Sequence, residues 1–137
     1  MDKQQAAVHE WHKRVGHPAA DHPVNIDLET ARFRTKLLIE EGVTEYLEAV
    51  KDGNLVEIGD AIGDALWILR GTASAHGLDI ERIFDVIVTS NYTKFDADGN
   101  PVPHPTIPNK IGKSELYVEP TEGIRKEIAR QITEAKF

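Results

Sequence analysis

The chain reads as an all-α protein: a helical bundle built on two long antiparallel helices, with a short extended or hairpin segment near 96–119 and a C-terminal helix. Apolar residues recur at helical spacing through most of the 137 residues, as in helices that bury one face. Capping residues and glycine stops separate these stretches at short intervals. One region breaks the pattern: Asp98-Gly99 is followed by Pro101, Pro103, Pro105 and Pro108, which a helix interior does not tolerate.

The first helix, about Gln4 to Val15, has Ala7, Val8, Trp11 and Val15 as its apolar face and stops at Gly16-His17-Pro18. A loop from His17 leads to Asp27, the N-cap of a long helix running to about Lys51. Leu28, Ala31, Leu38, Val43, Tyr46, Leu47 and Val50 form its buried stripe, and Asp52-Gly53 ends it. Asn54 caps the next helix, with Glu57 three residues later in a capping-box arrangement. That helix continues to His76-Gly77, where glycine supplies a left-handed cap. Its apolar residues Ile58, Ile62, Ala65 and Leu69 lie opposite its acids, with Trp67 on the acidic side. Gly59 and Gly63 sit inside it, each costing about 0.8–1 kcal/mol relative to alanine. Close approach of another helix or a ligand is the expected compensation.

A fourth helix starts at Asp79, with Ile83, Phe84, Ile87 and Val88 as its apolar face, and ends near Lys94. An extended stretch then leads through Tyr117 to Glu119, and Pro120-Thr121 opens a last helix, about Glu122 to Lys136. A chain of this length forms one domain, 1–137. Its two long helices carry more apolar surface than one small bundle covers, so a homodimer or homotetramer is expected.

Composition narrows the function classes. The chain has no cysteine, which excludes disulfides and thiolate zinc sites and fits a reducing, cytoplasmic compartment. No apolar run approaches the ~20 residues that span a bilayer, and no signal-peptide pattern opens the chain, so no membrane partner is expected. The formal charge of −7 argues against polymeric nucleic acid, whose phosphates need a basic surface. Small phosphorylated substrates stay open.

The most specific feature is a pair of acidic stripes. At roughly 100° per residue, Glu41, Glu45 and Glu48 fall within an arc of about 60° on one helix, and Glu57, Asp60 and Asp64 do so on the next. Facing stripes repel unless cations lie between them, and hard oxygen donors at this density suit Mg²⁺ or Mn²⁺. The alternative is a solvated acidic face on a non-catalytic scaffold or nucleotide-binding protein. Basic residues flank the acids: Arg32, Arg34 and Lys36 before them, and Lys94, Lys110 and Lys113 well after. His9, His12, His17 and His22 match no zinc spacing. The Asp96-Asp98-Gly99 cluster lacks the closing glutamate of an EF-hand loop. The long helices also lack the Glu-x-x-His pairs of a di-iron bundle.

Arg32-Phe33-Arg34-Thr35-Lys36-Leu37-Leu38-Ile39-Glu40-Glu41, followed by the run from Glu57 to Thr72 and by Ser90-Asn91-Tyr92-Thr93-Lys94, resembles the all-α nucleoside triphosphate pyrophosphohydrolases, the MazG-like superfamily. The resemblance covers nearly the whole chain. It implies Mg²⁺-dependent (or Mn²⁺-dependent) cleavage of a nucleoside triphosphate between its α and β phosphates, giving monophosphate and pyrophosphate, in a house-cleaning or nucleotide-pool role. The first motif, Glu-Glu-x-x-Glu, falls on Glu40 and Glu41 with Thr44 at the third place; Glu45 or Glu48 is the substitute. The second, Glu-x-x-Asp, falls on Ala61 and Asp64, with Asp60 replacing the glutamate. The implied metal ligands are Glu40, Glu41, Glu45, Asp60 and Asp64, and Glu40 or Glu41 is the candidate base. Lys94 with Lys110 or Lys113 would hold the departing pyrophosphate. Asn91 would orient substrate or cap its helix. Trp11 would stack on the base, beside His9 or His12, or serve only as the core anchor of its helix.

Overall fold

Asp2 caps the first helix, α1 (Lys3–Val15), by accepting a hydrogen bond from the Gln5 amide, and Gly16 closes it at φ 76°, a left-handed conformation that glycine adopts without Cβ strain. The computed structural model describes residues 1–134. Asp27 accepts from the Thr30 amide and opens α2 (Leu28–Leu37), which runs into a π-helical turn (Leu38–Thr44) and then α3 (Glu45–Lys51). The expected long helix to Lys51 is therefore present, but its middle is π rather than α. Asn54 accepts from the amides of Val56 and Glu57 and starts α4 (Leu55–Ala75). Then come α5 (Ile80–Tyr92) and α6 (Thr121–Thr133).

Contacts group these elements into two compact units, Met1–Ile80 together with Glu134, and Glu81–Thr133. In the first unit, α4 is the central rod, packed by α1, α2, the π turn and α3. Arg34 reaches Ile68 and Thr72, and Gly42 meets Ala65. Residue numbers rise along one rod as they fall along the other, so the rods are antiparallel, as the tight turn at 52–54 requires.

The buried faces differ from the expected ones. In α4 the buried residues are Ala61, Ile68, Gly71, Ala73, Ser74 and Ala75, while Ile62 and Leu69 are exposed. Only part of the expected stripe packs within the chain, with Ala65 against Gly42 and Ile58 half-buried, because the side packed by other helices is lined mostly with small residues that permit close approach. Nothing in the chain approaches Gly59 or Gly63, where an added Cβ would meet open space. In α1, Gln5, Val8, His9 and His12 are buried, and Trp11 is 41 % exposed. Gln5 and His12 hold this face because the chain supplies them with hydrogen-bond partners, and His9 lies beside Asp21. Gln5 donates to the Leu78 carbonyl and accepts from the Ile80 amide, satisfying a buried amide at both ends. Trp11 is accordingly not a buried core anchor.

In the second unit the region after α5 is held by side chains rather than by a sheet. Asp96 Oδ1 accepts from the amides of Asp98 and Asn100, and a single antiparallel bridge joins Pro103 to Ile111. Ser90 Oγ donates to the Val118 carbonyl at 2.7 Å, fixing the extended stretch that leads to α6. The last helix begins at Thr121, one residue before the expectation, and the expected end at Lys136 lies outside the described residues.

Within α6, Glu127 accepts from Arg130 Nε at 2.9 Å and from Gln131 at 2.8 Å. The Arg130 hydrogen bond and charge, with help from Gln131, hold its carboxyl down to about 2. An unfolded glutamate titrates near 4.3, so the stabilisation is present above about pH 4.3 and is lost as pH falls toward about 2. Glu127→Gln is expected to flatten that part of the acid-unfolding curve, measured by circular dichroism between pH 5 and 2. An unchanged acid limb would remove Glu127 from the stability account.

Candidate active site

Two rods bring the carboxylates together. Glu41 from the π turn and Glu45 and Glu48 from α3 meet Asp60 and Asp64 from α4. The Glu45 carboxyl is held above its ordinary range by loss of solvation and then by the charges of Glu41, Asp64, Asp60 and Glu48. The charges of four other acids thus bear on Glu45, and bound positive charge would relieve that repulsion. A cleft of about 300 Å³ opens beside it, with Glu45, Glu48, Asp52, Glu57 and Asp60 on its walls and Ala49 and Ala61 on its floor. Ala61 is buried there.

Glu40 stands at the margin of the cluster, 4.0 Å from Lys36 in an exposed i, i+4 pair. Asp52 was read in the sequence only as part of a helix stop. Its place follows from the antiparallel turn, which brings the end of α3 beside the start of α4.

The donors are all carboxylate oxygens, and this chemistry fits a hard divalent cation. As they stand, no three of the His, Asp or Glu side chains among the described residues are gathered to hold a single ion. The cluster is open, with Glu41 and Asp64 half-buried and Glu40, Glu45, Glu48 and Asp60 exposed.

One flank of the acids is closed by a buried polar knot. Arg34 is buried, donates from Nη2 to the Ile68 carbonyl at 2.7 Å and from Nε to Thr72 Oγ1 at 3.1 Å. Burial lowers its proton affinity and the charge of Glu41 raises it, so the guanidinium and the acidic cluster feel each other. His12 is fully enclosed, with Nδ1 2.9 Å from the Pro18 carbonyl. A carbonyl only accepts, so Nδ1 carries the hydrogen. Burial and the nearby Arg34 charge lower its pKa, favouring the neutral ring. His9 is lowered too, by burial and by Lys13.

Aromatic rings line the neighbouring surface. Trp11 stands edge-on to Trp67 at 5.3 Å and to His17 at 5.7 Å, and His17 stands edge-on to Phe33 at 6.3 Å. Trp67 follows Asp64 by three residues on α4, so ring and carboxylate are neighbours on one helix face. A cleft of about 270 Å³ is bounded by His17, Pro18, Glu29, Thr30, Phe33 and Arg34. Trp67, His17 and Phe33 were not singled out as site residues from sequence; the helical offset of Trp67 from Asp64 was the available signal.

The remaining candidates lie in the second unit. Asn91 is exposed in the last turn of α5, and Lys94 follows it, its carbonyl accepting from the Ser114 amide at 3.2 Å. Lys113 places its Nζ 4.8 Å from the centre of the Tyr117 ring. Lys110 is exposed beside the Pro103–Ile111 bridge. A cleft of about 500 Å³ between α5 and α6 is lined by none of the candidate residues.

Comparison with known proteins agrees with this architecture. A candidate NTP pyrophosphohydrolase of known structure from Exiguobacterium sp. 255-15 superposes with a TM-score of 0.54 at 24% identity, covering 98% of this chain and 99% of that one, which shows a shared fold. An uncharacterized protein, L479 of Acanthamoeba polyphaga mimivirus, is 34% identical over 95 residues, 65% of this chain and 38% of that protein. The chain thus spans well under half the length of that relative. Residues 8–91 match the phosphoribosyl-ATP pyrophosphohydrolase family, a stretch that runs from within α1 into the last turn of α5 and contains every carboxylate of the cluster. The chain belongs to the phosphoribosyl-ATP pyrophosphohydrolase family.

Proposed function

We propose that the protein is a Mg²⁺-dependent (or Mn²⁺-dependent) nucleotide pyrophosphohydrolase that cleaves a nucleoside triphosphate between its α and β phosphates. The observation that carries this reading is the cleft walled by Glu45, Glu48, Asp52, Glu57 and Asp60, drawn from two antiparallel rods. Carboxylates on facing rods repel a polyphosphate and one another, and divalent cations between them would relieve both. Glu41, Glu45, Asp60 and Asp64 are the residues to hold them. When bound, such ions neutralise phosphate oxygens and make a water acidic enough to attack.

The chain's own residues supply the rest. Glu41, half-buried beside Glu45 and within reach of the Arg34 charge, is the base that takes the water's proton. Glu40, paired with Lys36, is the weaker candidate for that role. Arg34 and His12 hold α1, α2 and α4 in fixed register, so that the carboxylates need not be reorganised when substrate arrives. Trp11, exposed over Trp67, offers a face for a nucleobase. Trp11→Ala is expected to raise KM at least fivefold with little change in kcat; an unchanged KM would remove stacking from the account.

A homo-oligomer belongs to the same proposal. Leu55 and Val56 at the start of α4 are 80% and 83% exposed, and Ile39, Val43, Leu47, Ile62 and Leu66 are also open to solvent. A second copy of the chain would cover this apolar surface.

The reading is tested by incubating the protein with a panel of ribo- and deoxynucleoside triphosphates and Mg²⁺, and following products by ³¹P NMR. Monophosphate and pyrophosphate in equal amounts are expected. Orthophosphate as the first product, or no turnover with any nucleotide, would favour a different phosphatase or a scaffold.

A further inference from the structure

One cation and one carboxylate border the same cleft without meeting. Arg34 and Glu29, both on α2, line the cleft of about 270 Å³ that His17, Pro18, Thr30 and Phe33 complete. Among the described residues no ion pair holds either of them. Arg34 is 6% exposed, and its Nε and Nη2 donate to a hydroxyl and a carbonyl, on Thr72 and Ile68. Both acceptors are neutral, and Nη1 has none among the described residues. A guanidinium carries five N–H donors, and leaving it short of acceptors in a buried place costs stability. A ligand oxygen in the cleft would supply what is missing. Glu29 is the opposite case: an exposed carboxylate that accepts only.

Flat rings make up much of the remaining wall. His17 is half-buried and stands edge-on to Phe33, with ring centres 6.3 Å apart, and Phe33 is 49% exposed. The row continues to Trp11, 5.7 Å from His17, which is the stacking face of the proposed site. A small cleft with aromatic walls, one cationic donor and one anionic acceptor suits an uncharged heteroaromatic ring. A free anion drawn by Arg34 would be repelled by Glu29.

The pair of charges also selects the edge of that ring. A lactam, C=O beside ring N–H, offers an acceptor to Arg34 and a donor to Glu29. The amino edge, C–NH₂ beside a bare ring nitrogen, offers the reverse at the same two places. Uracil, thymine, hypoxanthine and guanine carry the lactam; adenine and cytosine carry the amino edge. Turning the ring over would exchange the two places, but its sugar and phosphates must run toward the carboxylates, of which Glu41 acts on Arg34.

We propose that this cleft is a base-edge pocket in which Arg34 and Glu29 are specificity-determining residues, selecting nucleotides with a lactam edge over those with an amino edge. The orientation of the ring rests on the proposed hydrolase reading; the choice of edge rests on the two charges and the rings between them. Trp11 gives affinity to any base, and the cleft distinguishes one base from another.

The test compares pairs that differ in this edge alone: inosine with adenosine, and uridine with cytidine. Each is supplied as its α,β-methylene triphosphate, which resists cleavage between those phosphates, and binding to the full chain with Mg²⁺ is followed by tryptophan fluorescence. The lactam member of each pair is expected to bind about tenfold more tightly, because the amino edge leaves charged groups mispaired. Arg34 also ties α2 to α4, so Glu29 is the residue to change. Glu29→Ala should reduce the preference to under threefold while leaving the melting temperature unaltered, and a merely structural role would not move that ratio. Equal binding within both pairs, a preference for the amino member, or a preference that survives Glu29→Ala would overturn the pocket. Turnover of all four natural triphosphates at equal kcat/KM would overturn it too, with the hydrolase reading intact. Selective binding of the analogues without turnover of any natural triphosphate would sink the hydrolase reading and leave the pocket standing. Absence of binding by all four analogues would end both.

Discussion

Replacing Gly71 with alanine is expected to destabilise the protein by about 3 kcal/mol, as overpacking and loss of buried hydrogen bonds combine. A Cβ built there would lie 2.5 Å from both Arg34 Nη2 and His12 Nε2. Flexible side-chain ends ordinarily yield to such an intrusion. These two cannot do so freely, because Nη2 donates to the Ile68 carbonyl and the imidazole is tethered through Nδ1 to the Pro18 carbonyl. Displacing either leaves a buried polar group without its partner, and in the case of Arg34 that group is charged. Urea denaturation followed at 222 nm measures the loss. A change under about 0.5 kcal/mol would mean that the knot between α1, α2 and α4 is loose.

Glu45→Gln is expected to separate stability from function. With no metal present, the substitution removes one charge from a cluster of like charges, so the melting temperature should stay the same or rise slightly. Turnover should fall at least a hundredfold, the scale on which electrostatic groups at reacting centres act. Thermal melts without metal and steady-state rates with Mg²⁺ check the two halves. A destabilised variant of normal activity would make Glu45 a structural residue. A variant unchanged in both would make the cluster an ordinary solvated face.

Much of this architecture was legible in the sequence because local chemistry and tertiary structure agree. Asp27, Asn54 and the glycines at 16 and 77 start or stop helices where capping rules put them. Glu45 and Glu48 share a cleft with Glu57 and Asp60, because a three-residue turn forces their helices antiparallel. Other features depend on partners that no pattern of spacing discloses. Gln5, His9 and His12 fill the buried face of α1, two of them bonded to backbone carbonyls that are distant or beyond the helix end. The inner face of α4 is made of alanines, serine and glycine, which carry little hydropathy but admit close helix packing. Its larger residues Ile62, Leu66 and Leu69 point away from the chain's own core. Gly59 and Gly63 are the costly glycines by spacing, yet the glycines of the first unit with a steric reason are Gly42, Gly71 and Gly77. The π turn leaves no compositional mark at all.

The central claim is that water attacks the α-phosphorus of a nucleotide at the carboxylates of the two rods. Single turnover in ¹⁸O-labelled water, with the products resolved by ³¹P NMR, tests it most directly. The account requires the label in the nucleoside monophosphate, none in pyrophosphate, and no turnover in the Asp64→Asn variant. Label in pyrophosphate or orthophosphate, or normal turnover by that variant, would contradict it.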